Sequence, residues 1–151
     1  MGAVYFYHMT RTPLQATLPV LLEKSLAAGW RVAVRGPDRA ALEHLDELLW
    51  LSPEDGFLPH GLEGGDHDAR QPVLLGTAAP IMDRQALICV GGAVPEAGEV
   101  SALARASILF DGNDALAVEK ARGHWRTLTG AGCSAQYWSQ ESGRWEKKAE
   151  A

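Results

Sequence analysis

Residues 4–34 read VYFYHMTRTPLQATLPVLLEKSLAAGWRVAV, and the fold class follows from how this stretch divides. Val4-Tyr5-Phe6-Tyr7-His8 is β-branched and aromatic and gives way to polar Thr10-Arg11-Thr12, the composition of a buried strand. Thr12-Pro13 then has the form of an N-cap followed by a first helical residue. Leu14, Leu18, Leu21, Leu22 and Leu26 recur at helical spacing as far as Gly29, which suits the left-handed position just past a helix. Pro19 either kinks this helix or marks its true first turn. Trp30 to Arg35 returns to an extended, apolar composition and supplies a second strand.

The alternation continues downstream. Gly36-Pro37-Asp38 leads into a helix with Leu42, Leu45 and Leu49 on one face. Residues 52–71, including HGLEGGDHD at 60–68, are expected as a long loop. Short apolar runs at 72–75 and 86–90 read as strands, 99–105 as a helix and 107–110 as another strand. Asp111-Gly112-Asn113-Asp114 supplies a turn with capping residues before a helix over 115–129, and Ala135-Gln136-Tyr137-Trp138 reads as an edge strand. Apolar strands alternating with helices predict an α/β fold: a single-domain three-layer sandwich with a mostly parallel sheet and helices on both faces. The domain is expected to span residues 1–145, with 146–151 (EKKAEA) a flexible C-terminal tail.

A chain of 151 residues can bury one substantial core. It has no apolar run near the roughly 18 residues of a membrane helix. The opening MGAVYFYHMT lacks the basic and apolar regions of a secretory signal, so a cytoplasmic location is expected. Net charge is −5, which argues against a protein that coats nucleic acid through clustered cations. Charge is unevenly spread: residues 1–111 carry a net −6 and residues 112–151 a net +1, and the latter segment also holds Trp125, Trp138 and Trp145. Cys89 and Cys133 have no redox or zinc spacing and read as reduced packing residues.

This alternation invites a nucleotide, yet the turn after the first strand, His8 to Pro13, has no glycine to admit a pyrophosphate, and no Walker A run occurs. No cofactor and no metal are therefore expected. The strongest catalytic alternative is a small metal-dependent hydrolase using His60, Asp66, His67 and Asp68, although two histidines seven apart in a Gly-rich loop match no ligand pattern. A small-molecule sensor at the strand ends Thr10 and Gly36-Pro37-Asp38 is a third reading. His124 with Cys133 could suggest a thiol nucleophile, but nothing between them fixes geometry.

Within the helix over 115–129, Ala117, Ala121, His124 and Leu128 form one face, expected to pack on the sheet. Val118, Arg122, Trp125 and Thr129 form the adjoining stripe, with Arg126 just beyond. Either Trp125 seals the edge of the core between solvated arginines, or the indole and guanidinium groups together form a docking site.

Four stretches, VYFYH, LLEKSLAAGWRVAV, LDELLWLSPEDGFLPHG and AVEKARGHWRTLTGAG, resemble in sequence and order the chi subunit family of bacterial DNA polymerase III holoenzyme. The Phe-x-Pro-His block after Leu-Trp is the most specific of them. The resemblance implies a non-catalytic clamp-loader accessory adaptor, with a fold like that of nucleotide-binding domains but without a phosphate loop. It implies binding of the acidic, Phe-ended C-terminal tail of single-stranded DNA-binding protein, with no strong direct nucleic-acid binding and no membrane partner. Val118 and Trp125 would take the terminal phenylalanine, Arg122 and Arg126 its carboxylates, and Thr129 lies on the same stripe. Trp50, Phe57 and Pro59 resemble positions that contact a psi subunit or a helicase. The stretch Thr127-Leu128-Thr129-Gly130 is less basic than in several family members, so attraction for the tail is either weaker here or supplied by Arg144, Lys147 and Lys148.

Overall fold

The structure is a computed structural model that describes residues 2–51, 59–65 and 68–151. Strand β1 (Ala3–Met9) leads through α1 (Leu14–Ala27) to β2 (Val32–Arg35), the division read from sequence. Then follow α2 (Arg39–Leu51), β3 (Gly61–Leu62), β4 (Val73–Gly76), β5 (Ala86–Cys89), α3 (Ala97–Ala102), β6 (Arg105–Asp111), α4 (Ala115–Gly130), β7 (Ser134–Ser139) and β8 (Glu146–Glu150). One sheet orders these strands β3-β4-β2-β5-β6-β1-β7-β8, parallel throughout except for the β7–β8 pair.

Two apolar layers flank the sheet, and alternation along each strand assigns its residues to one or the other. Val4 and Phe6 of β1, with Ala33, Leu87 and Ile108, meet Val100 of α3 and Ala121 and Leu128 of α4. On the opposite face Val32, Val34, Leu75 and Ile88 meet Leu18 and Leu22 of α1 and Leu42, Leu45 and Leu49 of α2. The chain is thus the three-layer α/β sandwich expected. Cys89 lies in the first layer, where burial pushes its thiol up to about 12, and it packs as a small apolar residue.

Local signals explain the helix limits. Helix α1 continues through Pro19, so that proline is not its first turn, and it ends with Gly29 at a φ of +82°, which only glycine adopts cheaply. The helix begins one residue later than expected, because the Thr12 hydroxyl bonds the Thr17 hydroxyl at 2.7 Å in place of a backbone amide. Asp114 caps α4, its carboxylate accepting from the amides of Leu116 and Ala117.

Three expectations change. The helix placed at 99–105 is the shorter α3, because Arg105 already begins β6 beside Ala3 of β1. The interval 52–71 contains β3, paired to Leu74 and Leu75. The segment 146–151, expected as a flexible tail, forms β8 along β7 through residue 150, so β7 is not the edge of the sheet. Its polar sequence fits an outermost strand, where charged side chains discourage further pairing.

Candidate functional site

The turn that a nucleotide-binding fold would use for phosphate is filled here by a side chain. Gln140, 6% exposed at the end of β7, accepts through Oε1 from the backbone amides of Thr10, Arg11 and Thr12 at 3.1, 3.2 and 3.3 Å. Its Nε2 donates to the Thr12 hydroxyl at 2.8 Å. The amides that a glycine-rich loop would present to a pyrophosphate are therefore already satisfied from within the chain.

On the α4 side of the sheet, His8, Arg122, Trp125, Arg126, Tyr137, Ser139, Glu141, Lys148 and Ala149 line a pocket of about 400 Å³. Three elements build it. Helix α4 packs Ala121 and Leu128 inward, and the next stripe leaves Trp125 half-buried at the pocket wall with Arg122 and Arg126 exposed beside it. Strand β7 buries Ala135 and directs Tyr137 to the same side. Strand β8 brings Lys148 and Ala149 across the opening.

The indole is held by aromatic contacts. Trp125 meets Phe6 edge-on at 5.4 Å between centroids and Tyr137 edge-on at 6.1 Å, while Phe6 and Tyr137 stack at 6.3 Å. Tyr137 donates its hydroxyl to His8 Nδ1 at 3.1 Å, and His8 Nε2 donates to the Gly112 carbonyl at 3.2 Å. A side chain at Gly112 would place its Cβ 1.8 Å from the imidazole, so glycine is required for this approach. Burial raises the Tyr137 pKa, Arg122 lowers it in part and Glu141 raises it, which keeps the phenol protonated as a donor.

Electrostatically the pocket offers Arg122, Arg126 and Lys148 against one carboxylate, Glu141. Lys148 lies 3.3 Å from Glu146, whereas among the described residues neither Arg122 nor Arg126 has an ion-pair partner. Of the residues predicted from sequence, Arg122, Trp125 and Arg126 thus share one cavity. Val118 packs partly buried against the core one turn before Arg122, and Thr129 turns its hydroxyl back to the Trp125 carbonyl at 2.7 Å; neither lines the pocket. His8, Tyr137 and Ser139 were missed by sequence reasoning. Two-residue alternation from buried Ala135 would have pointed to Tyr137, but placing β7 next to β1 needs the sheet order.

Around the second predicted surface, Trp50 at the end of α2 is 54% exposed and its ring lies 4.2 Å from that of His60. Pro59 adjoins His60 in sequence, and Phe57 lies outside the described residues. His60 is buried, with Nε2 directed at both the carbonyl (3.3 Å) and the carboxylate (3.2 Å) of Asp46. Asp68 instead accepts from the amides of Gly64 and Gly65, and Asp66 and His67 lie outside the described residues. Among the described residues no three His, Cys, Asp or Glu side chains stand close enough to share a metal ion. Asp38 caps α2 through the Ala41 amide at 2.8 Å, whereas Thr10 lines a crevice with Arg11 and Asn113. No helix among the described residues is long and apolar enough to cross a membrane.

Comparison with known proteins gives two findings. Residues 1–136 match the family described as DNA polymerase III chi subunit, HolC. The DNA polymerase III subunit chi of Pseudomonas aeruginosa is 35% identical over 83 residues, which cover 53% of this chain and 57% of that relative.

Proposed function

This chain belongs to the DNA polymerase III chi subunit family, and from that premise we propose that it is a non-catalytic replication adaptor whose α4 pocket binds the acidic, Phe-ended C-terminal tail of single-stranded DNA-binding protein. The observation that carries this reading is the convergence of Trp125 with Arg122 and Arg126 on one cavity, joined by Tyr137 and Lys148. A terminal phenyl ring finds its apolar wall in Trp125 and Tyr137. The terminal carboxylate and neighbouring acidic residues find guanidinium groups that form no ion pair among the described residues. Lys148, carried in by β8 and 3.3 Å from Glu146, adds a third cation to the two guanidinium groups of α4, which supports a contribution from beyond Trp145 to attraction for the tail.

Linkage to the clamp loader, or to a helicase, would use the exposed Trp50 with Pro59 and Phe57. An exposed indole at a helix end suits an interface anchor, because it can bury a large ring at small conformational cost. The test of the tail site is calorimetric titration of the protein with a synthetic acidic peptide ending in phenylalanine. Loss of affinity in Arg122→Glu and in Trp125→Ala supports the assignment, and affinity unchanged in both contradicts it.

A further inference from the structure

A second cavity lies on the other face of the sheet, and the tail-binding reading does not use it. It is a groove of about 530 Å³ between α1 and the sheet face formed by β5, β6, β1 and β7, within the size range of sites that hold ligands. Its floor is aromatic. Tyr7 of β1 and Trp138 of β7 are directly opposite in register, Tyr5 follows on the same face of β1, and Trp145 closes one side, edge-on to Tyr7 at 5.3 Å. All four rings are only partly buried. Trp138 is fixed in place by its Nε1, which donates to Gln136 Oε1 at 3.1 Å.

The charge of this groove has one sign. Lys24 and Arg105 line it and no carboxylate does. The Arg105 guanidinium lies over the Tyr5 ring at 4.2 Å and near the Trp30 ring at 5.4 Å. Among the described residues neither cation forms an ion pair, so each is available to an anion. A guanidinium stacked on rings keeps its N–H edge free for phosphate.

The geometry points to a short segment of single-stranded DNA as the occupant, its bases stacked on Tyr7 and Trp138 and its phosphates held by Lys24 and Arg105. Rings in register on neighbouring strands form a platform that accepts planar bases of any sequence, and flanking cations track the backbone. An extended acidic peptide fits less well. The groove runs over the face of the sheet, where strand amides are already paired, so a peptide backbone would find few hydrogen bonds there. Two cations make a modest, local site, compatible with a net charge of −5.

The test is fluorescence anisotropy of a labelled oligothymidylate titrated with the whole protein at low salt. Trp138→Ala is expected to weaken binding by about tenfold or more, from loss of one stacked base. Lys24→Glu, on the exposed surface of α1, is expected to weaken binding while leaving the fold and the affinity for the acidic peptide unchanged. With two phosphates neutralised, log affinity should fall against log salt with a slope of about −1.4. A duplex of matching length should compete poorly, because its bases are already stacked. Absence of oligomer binding by the unaltered protein, indifference to both substitutions, or equal competition by the duplex would overturn the proposal. Displacement of the oligomer by the acidic peptide, with peptide binding abolished by Trp138→Ala, would overturn it too, since the groove would then be a peptide site. Failure here leaves the α4 pocket untouched, as the two sites lie on opposite faces.

Discussion

The Trp125 indole stands edge-on to the Phe6 ring at 63°, with the centroids 5.4 Å apart. Phe6 is completely buried in the core layer, so the tryptophan is anchored on its inner edge while its outer part remains at the pocket wall. One side chain therefore packs on the core and, in the proposed site, would also face the peptide. Trp125→Ala should cost about 2 kcal/mol in binding the acidic peptide. It should also cost about 1–3 kcal/mol in stability, through lost contacts with Phe6 and Tyr137. Trp125→Phe should restore most of the stability and part of the affinity. Calorimetric titration well below the melting temperature, together with thermal melts, separates the two effects.

Charge at the pocket should act on affinity and leave the fold alone. Arg122 and Arg126 are exposed and hold no ion pair among the described residues, so reversing either to glutamate should change stability by no more than about 0.5 kcal/mol. Each reversal should weaken peptide binding at least tenfold at low salt, and the difference from the unaltered protein should shrink as salt screens it. Titrations across a salt series read this directly. A charge-reversed variant with unaltered affinity at low salt would remove that residue from the site.

Gln140 should matter for the fold far more than a lone polar residue at a strand end suggests. Replacing it with alanine leaves the amides of Thr10, Arg11 and Thr12 without their shared acceptor, at a cost of about 1–3 kcal/mol. Amide hydrogen exchange should accelerate at those three positions before it does so elsewhere in β1. Gln140→Glu tests the same point with the acceptor retained, and should lose less stability than the alanine variant.

A second internal anchor predicts an acid response. Arg35 of β2 donates from both terminal nitrogens to Glu99 of α3 at 2.7 and 2.6 Å, and both side chains are mostly buried. That hydrogen bonding holds the Glu99 carboxyl below its ordinary value of 4.5, against the opposing effect of burial. A carboxyl depressed in the folded state stabilises the protein fully above its unfolded value, and that contribution is lost as pH falls through the folded one. Glu99→Gln should therefore be less stable at pH 7 by about 1.5–3 kcal/mol. The gap should narrow as acid protonates the carboxyl. Denaturant titrations from neutral pH downward check the sign; a gap that widens in acid contradicts it.

What the sequence made legible was local. The strand at Val4–His8, the helix ending at Gly29 and the capped helix from Asp114 are written in spacing and capping residues, which act within a few positions. Placing Arg122 and Trp125 on one helix stripe, with Arg126 just beyond it, required nothing beyond the 3.6-residue period. The rest is long-range. The run EKKAE carries no alternation of apolar and polar residues, so pairing of β8 with β7 could not be read from it. The roles of Tyr137 and Gln140 likewise depend on β7 lying beside β1, a neighbour 129 or so positions away in sequence. Trp138 and Trp145 stood out in composition, but only the sheet order shows that they share a groove with Tyr5 and Tyr7.

Two acidic peptides that differ only by a C-terminal phenylalanine, titrated in parallel into the unaltered protein, bear most directly on the adaptor reading. The full peptide should bind in the micromolar range or tighter, and deletion of the phenylalanine should remove most of that affinity because the Trp125 wall is left bare. Equal affinity for the two peptides, or no binding of either, would contradict the assignment of the α4 pocket.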